Sequence, residues 1–194
     1  MLTKDDLVAF ETEMRDIFCE GKINAPVHLS DGNEEQLIEI FTNIKRTDWV
    51  FSTWRSHYHA LLHGISRDWL KQEIMDGRSI TVNKPDQKFY ASAIVSGIAP
   101  IALGAALSIK LRNEPDAVWL FVGDMTARTG MLHEVKQYAS GHSLPLNIVV
   151  EDNHISVQSP TAQVWGEDKK ELNIQTYEFE SSYPHVGAGK WVTF

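Results

Sequence analysis

Two uninterrupted stretches of strand-forming residues constrain this chain more than any other feature. Residues 117–122 (AVWLFV) and 146–150 (LNIVV) each run straight into polar residues, Gly123-Asp124 and Glu151-Asp152-Asn153. A strand that lacks polar alternation is buried on both faces, which is the condition of a parallel sheet covered by helices. Residues 128–141 between them have helical spacing. The unit 117–153 therefore has the length and order of a strand–helix–strand crossover, right-handed as such crossovers are. The expected fold class is α/β, a three-layer α/β/α sandwich with a mainly parallel sheet.

The rest of the chain supplies material for both outer layers. Thr3 with Asp6 three residues on reads as an N-cap, and Leu7, Phe10, Met14, Ile17 and Phe18 continue at helical spacing to about Glu20. Leu37, Ile38, Phe41 and Ile44 repeat the pattern to about Lys45, so residues 1–45 form an N-terminal helical segment. Residues 48–53 (DWVFST) are rich in β-formers, and 58–75 are helical with a break at Gly64-Ile65-Ser66. A loop through Gly77 and Pro85 follows. Residues 98–112 read as an Ala-rich helix, 174–180 as a third strand, and 175–194 as an aromatic tail with Tyr177, Tyr183, Trp191 and Phe194. No repeat or linker divides the chain, so 1–194 is expected to be one domain.

Composition narrows the function classes. Eighteen Lys plus Arg stand against 26 Asp plus Glu, a net charge of −8 without a basic run, which argues against nucleic acid as a partner. The uncharged stretch 89–109 is interrupted by Ser, Gly and Pro, and its helical part is too short for a bilayer. A buried Ala/Gly-rich helix is expected there, and no membrane partner. Cys19 is the only cysteine, which excludes an intrachain disulfide framework, and the acidic N-terminus does not resemble a signal peptide. A cytoplasmic location is the expectation.

In an open parallel sheet, ligands bind beyond the carboxyl ends of the strands, so Asp124 and Asn153 should face one crevice. A helix starting near Thr126 would point backbone N–H groups into it. A carboxylate, an amide oxygen and a bound phosphate describe a Mg²⁺ site, because Mg²⁺ prefers few protein oxygens completed by phosphate and water. A metal-bridged diphosphate is the expected ligand.

Gly123-Asp124, Gly130, Glu134, Leu144-Pro145 and Glu151-Asp152-Asn153 resemble the thiamine diphosphate motif, GDG followed at a distance by NN. The spacing is similar to that of the alpha subunits of thiamine diphosphate-dependent 2-oxo acid dehydrogenases. Upstream, Trp54-Arg55-Ser56-His57 resembles their Tyr-Arg-x-His, and SAIVSGIAPIALGAA resembles their SSPLATQIPQAVGAA, so the likeness covers about residues 48–161. The resemblance implies a thiamine diphosphate-binding fold of the diphosphate-holding (PP) type. By it, Asp124, Asn153 and the Ile155 carbonyl are metal ligands, and Arg55 contacts the diphosphate. Met125 and Thr126, next to Gly123, offer backbone N–H groups, and Val95 its carbonyl near the aminopyrimidine. Three positions depart from the pattern: Met125 replaces the third glycine of GDG, Asp152 the first Asn, and Trp54 the Tyr.

The resemblance further implies thiamine diphosphate and Mg²⁺ as cofactors and a beta-type subunit as partner, in a hetero-oligomer of two alpha and two beta chains, or a homodimer in isolation. The beta subunit supplies the pyrimidine-binding half and a glutamate for the aminopyrimidine, leaving no catalytic residue assigned on this chain. The alternatives are a degenerate assembly or regulatory subunit of the same fold, and an acyloin or ketol-transfer half-enzyme. The family's alpha subunits continue into a segment with a histidine-containing loop over the diphosphate, and this chain stops before it. His59 and His63 at i and i+4 could bind a transition metal, although core or supporting roles for His57, His59 and His63 are favoured. Gly187-Ala188-Gly189-Lys190 fails as a phosphate loop because no helix can follow it.

Overall fold

The computed structural model describes residues 2–166 and 174–193. Met1 and Phe194 lie outside that range, as do 167–173. In chain order the elements begin with α1 (Lys4–Cys19), α2 (Glu34–Phe41), β1 (Trp49–Ser52), α3 (His57–Leu62) and α4 (Arg67–Met75). Two short strands follow, β2 (Asn83–Lys84) and β3 (Phe89–Ala91), then α5 (Ile98–Arg112), β4 (Val118–Gly123), a one-turn α6 (Asp124–Ala127) and α7 (Gly130–Gly141). The remaining elements are β5 (Leu146–Asp152), β6 (Ile155–Ser156), β7 (Ser159–Pro160), α8 (Thr161–Trp165) and β8 (Gln175–Glu178).

Six strands form one sheet in the order β2-β3-β1-β4-β5-β8, and every pairing in it is parallel except β2 with β3. Helices cover both faces, as the apolar runs require. Val118, Leu120 and Val122 pack with Ala99, Ala102 and Ala106 of α5 and Leu132 and Val135 of α7. Phe121, between them in sequence, points the other way and joins Leu7, Phe10, Leu37, Tyr58 and Leu70 from α1 to α4. This is the two-residue period of a strand working in a sheet with two cores. The three-layer α/β/α expectation holds, and the sheet is mainly parallel.

The connections create the site. From β1 the chain leaves through α3 and α4 to its neighbour β3, whereas from β4 it leaves through α7 to β5 on the other side. Adjacent β1 and β4 thus send their loops in opposite directions, and a crevice opens between them at the carboxyl ends.

The expected elements differ from the observed ones in three places. The second helix ends at Phe41 rather than near Lys45, in a turn where the Thr42 hydroxyl donates to the Glu39 carbonyl at 2.6 Å. Strands β2 and β3, expected as loop and as the start of the uncharged stretch, are too short for an alternating pattern to register. The helix after Asp124 is split: α6 makes a single turn, and Thr129 then caps α7, its hydroxyl accepting from Leu132 N at 3.4 Å and donating to Thr126 O at 2.8 Å. The break at Gly64 is as expected. Its φ of +85° suits glycine, and a Cβ there would lie 1.7 Å from the Arg46 guanidinium.

Candidate functional site

The carboxyl ends of β1, β4 and β5 converge on a cleft. Thr53, Trp54 and Arg55 line it from β1, Gly123 to Thr126 from β4 and α6, and Glu151, Asn153 and Ile155 from the end of β5. Seven of the eight sequence-derived site residues are therefore brought together: Arg55, Gly123, Asp124, Met125, Thr126, Asn153 and Ile155. Val95 is not among them. The turn at Ser96 (φ +63°), whose hydroxyl bonds Thr129 at 2.9 Å, ties the Val95 loop to the start of α7, outside the cleft.

Asp124 is 5% exposed at the tip of β4, and Thr161 donates its hydroxyl to one carboxylate oxygen. Burial pushes this carboxyl above the usual range, the Thr161 bond opposes the shift, and Asp152 beside it adds to it. No ion pair neutralises Asp124 among the described residues. Asn153 is half-buried, with its side-chain oxygen accepting from Ile155 N at 3.2 Å. Gly123 leaves space in the wall: a Cβ built there meets nothing within 4 Å. Met125 stands next to that gap and puts a side chain into the cleft lining.

Arg55 supplies the cation. One guanidinium nitrogen donates to the Leu29 carbonyl at 2.8 Å, and no carboxylate lies within ion-pairing distance among the described residues. Burial lowers its pKa from the ordinary arginine value, while Glu11 and Glu151 act from further away in the opposite sense. A half-desolvated guanidinium with one neutral partner retains donors for an anion.

Glu151 lies at the back of the cleft, 8% exposed, and gathers donors from three elements. His59 Nε2 is 3.1 Å away, Asn33 Nδ2 3.5 Å, and the Tyr177 hydroxyl of β8 also donates to it. Burial and the Glu151 charge hold Tyr177 protonated well above the usual phenol range. Asn33 sits at the N-cap of α2 yet makes no capping bond with its side chain. Its amide N–H groups donate to Glu151 and Tyr177, which orients the carboxylate, while its oxygen has no partner among the described residues.

The three histidines do not converge. His57 is fully buried between Glu11 (3.0 Å from Nδ1) and Ser79 (2.9 Å from Nε2), His59 faces Glu151, and His63 packs against Phe89. Among the described residues no three His, Cys, Asp or Glu side chains are grouped to hold a metal. A cation in the cleft would depend on one carboxylate, an amide oxygen, a backbone carbonyl and ligand oxygens, which is the donor set Mg²⁺ takes.

Comparison with known proteins identifies the family. Residues 5–168 match the family model of the dehydrogenase E1 component. The chain belongs to that family. Among curated E1-type relatives, it is 29% identical over 161 residues to the chloroplastic pyruvate dehydrogenase E1 component subunit alpha-3 of Arabidopsis thaliana, covering 75% of this chain and 38% of the relative. It is 27% identical over 165 residues to the alpha subunit of acetoin:2,6-dichlorophenolindophenol oxidoreductase of Bacillus subtilis (80% and 50%). It is 26% identical over 164 residues to the pyruvate dehydrogenase E1 component subunit alpha of Rickettsia prowazekii (79% and 50%). The chain thus spans half or less of the length of these E1 relatives.

Sequence reasoning missed Asn33 and His185, which line the cleft, and Thr161 and Tyr177, which bond Asp124 and Glu151. Thr161 and Tyr177 reach Asp124 and Glu151 only through tertiary folding, and Asn33 comes from 118 residues upstream of Glu151. Glu151 was visible in the strand-end triplet, but nothing local distinguishes it from a solvated carboxylate. Among the described residues no helix is long and apolar enough to cross a membrane, and 89–109 divides between β3 and α5.

Proposed function

We propose that this chain is the diphosphate-holding, alpha-type part of a thiamine diphosphate- and Mg²⁺-dependent 2-oxo acid dehydrogenase or decarboxylase, acting in the cytoplasm with a separate beta-type subunit. The observation that carries the reading is the meeting of Arg55, Asp124 and Asn153, from the ends of three adjacent parallel strands, in one cleft. The residues fit the cofactor on two counts. Asp124 is a desolvated carboxylate beside Asp152, without a cation among the described residues, and Gly123 leaves room a side chain would fill.

In this reading Asp124, Asn153 and the Ile155 carbonyl hold Mg²⁺. Arg55 meets the diphosphate, with backbone N–H groups of Met125 and Thr126 beside it. Val95, outside the cleft, would offer its carbonyl to the aminopyrimidine. Thiamine diphosphate, when bound, supplies the carbanion chemistry by which a 2-oxo acid loses CO₂. The chain's own contribution is binding and orientation: Thr161 fixes the Asp124 rotamer, and Asn33, His59 and Tyr177 fix Glu151. The glutamate that activates the aminopyrimidine comes from the beta-type subunit, in an assembly of two alpha and two beta chains. Ile94 and Ile101, 69% and 58% exposed around the start of α5, support a covered face there.

The test is the thermal midpoint with and without Mg²⁺ plus thiamine diphosphate. A ligand bound only by the folded state raises it by mass action, adding about 2.7 kcal/mol to the folding free energy at a concentration 100 times Kd. Asp124→Ala and Asn153→Ala should remove the shift. Absence of any shift in the wild type at millimolar cofactor, with the beta-type subunit present, would overturn the reading. It would instead favour a degenerate assembly subunit, in which Met125 occupies the cofactor's space. Turnover of 2-oxo acids, or acyloin transfer, only in the mixed oligomer would support the half-enzyme.

A further inference from the structure

We propose that Glu11, a carboxylate buried on α1 outside the cleft, is the positioning residue for Arg55, fixing both the segment that carries the guanidinium and the loop that receives it. This rests on the reading above that Arg55 meets a diphosphate. Glu11 stands on the core face of α1 with Leu7, Phe10, Met14 and Phe18, and it is 1% exposed. A carboxylate at such a position costs stability unless donors surround it, whereas an apolar side chain of similar size would pack there without that cost. Its presence calls for a role beyond filling.

The two carboxylate oxygens reach opposite sides of Arg55. Oε2 accepts from Ser30 N at 2.6 Å, and Ser30 follows Leu29, whose carbonyl receives the Arg55 guanidinium at 2.8 Å. Oε1 lies 3.0 Å from Nδ1 of His57, two residues after Arg55. Hydrogen bonds and backbone thus close a ring through Glu11, Ser30, Leu29, Arg55 and His57. The far side of the imidazole is held as well: Nε2 lies 2.9 Å from Ser79 Oγ, and Phe10 packs edge-on against the ring (centroids 6.3 Å, 78°). Helix α3 depends on this anchor, because its N-cap, Ser56, makes no capping bond with its side chain.

The ring has an electrostatic counterpart. Burial lowers the Arg55 pKa, and Glu11 leads the charges that oppose the shift. The guanidinium is thus kept charged from a distance, without a direct ion pair that would occupy the donors an anion needs. A carboxylate that only held the fold together would show the same bonds, so the test has to read coupling between Glu11 and Arg55.

Titration calorimetry of the full chain with Mg²⁺-pyrophosphate, at a temperature where circular dichroism shows each variant folded, supplies that reading. Glu11→Ala should weaken the probe about tenfold, most of what a hydrogen bond to a charged group contributes. On an Arg55→Ala background the same change should cost less than twofold, since no guanidinium is left to misplace. Glu11→Gln, which keeps the shape and an oxygen for Ser30 N, should bind within about threefold of wild type. His57→Leu cuts only the second arm and should lose at least about threefold, again only while Arg55 is present; it replaces Glu11→Ala if that variant does not fold. The assignment is overturned if the folded variant binds within about twofold of wild type, or if its loss persists undiminished without Arg55, which would make Glu11 a general support of the cleft. Gln as weak as Ala would equally refute it. Failure of the wild type to bind Mg²⁺-pyrophosphate, or normal binding by Arg55→Ala, sinks the diphosphate reading and this assignment with it, whereas a binding wild type with an additive cycle leaves that reading standing and removes Glu11 alone.

Discussion

The buried imidazole of His28 should make the chain lose stability in mild acid, and the amount can be worked out. Its ring is 8% exposed, and burial, reinforced by Arg55, His185 and His57, pulls its pKa down from 6.5 to about 3. The unfolded chain takes up a proton near pH 6.5 while the folded one refuses it until about pH 3. The stabilisation is therefore intact above 6.5 and drains away as pH falls through the unfolded value. At pH 5 the unfolded state has gained about 1.5 pH units of proton binding, about 2 kcal/mol at 1.36 kcal/mol per unit. Against a total of about 5–15 kcal/mol, that is measurable. Urea midpoints of the ligand-free chain at pH 7 and pH 5, for wild type and His28→Gln, provide the assay. The variant cannot gain that proton, so its loss between the two pH values should be smaller than wild type's by about 2 kcal/mol. His63, depressed to about 4 by burial and Arg46, titrates in the same range in both proteins and cancels in the difference. Parallel losses in wild type and variant would show that His28 is charged in the fold or solvated, and the reasoning would fail.

Other perturbations test the site and its supports. Arg55→Ala should weaken Mg²⁺-thiamine diphosphate by at least tenfold in calorimetry, while the ligand-free melting temperature changes little, because the guanidinium bonds only a loop carbonyl among the described residues. Normal binding would remove Arg55 from the diphosphate. Met125→Gly should tighten cofactor binding by clearing the wall beside Gly123, and weaker binding would mean that the methionine packs against the ligand. Glu11→Ala should cost about 3–5 kcal/mol in urea unfolding, since it strands two buried donors, Ser30 N (2.6 Å) and His57 Nδ1 (3.0 Å). A loss below about 1 kcal/mol would show that water replaces the carboxylate.

What the sequence disclosed and what it withheld divide along a physical line. The strands β4 and β5 were legible because burial on both faces leaves no room for polar alternation, and their ends carried Asp124 and Asn153 as a matter of chain order. Arg55 was reachable through the resemblance carried by Trp54-Arg55-Ser56-His57, and its place three residues beyond β1 agrees with it. Strands β2 and β3 contain two and three residues, too few for a two-residue alternation to repeat, and β3 takes its place beside β1 with β2 on its far side. Asn33 carries a false local signal: at an N-cap position its side-chain oxygen would be expected to cap α2, yet the side chain is oriented by its N–H groups toward two partners more than 100 residues away, and the oxygen makes no capping bond.

The orientation of Asn33 by distant partners shows why the site's supports are the part least visible in sequence. A ligand-facing residue at a strand end is positioned by the strand, whereas the groups that orient it are positioned by whichever segments the fold brings alongside. Thr161 reaches Asp124 across 37 residues, Tyr177 reaches Glu151 across 26, and the segment around His185 is latched to a loop about 150 residues upstream. The consequence is a dependence that can be inverted. Ser182→Ala together with Asp31→Ala would cut one latch without touching the cleft lining, and the effect should then appear on Trp54, whose ring rests against His185. Increased acrylamide quenching in the double variant, absent from a matched Trp54→Phe background, is the expected result. Unchanged quenching would mean that the Ser181 bond to Ser30 O and the Gly187 bridge to His28 hold the segment in place without this latch.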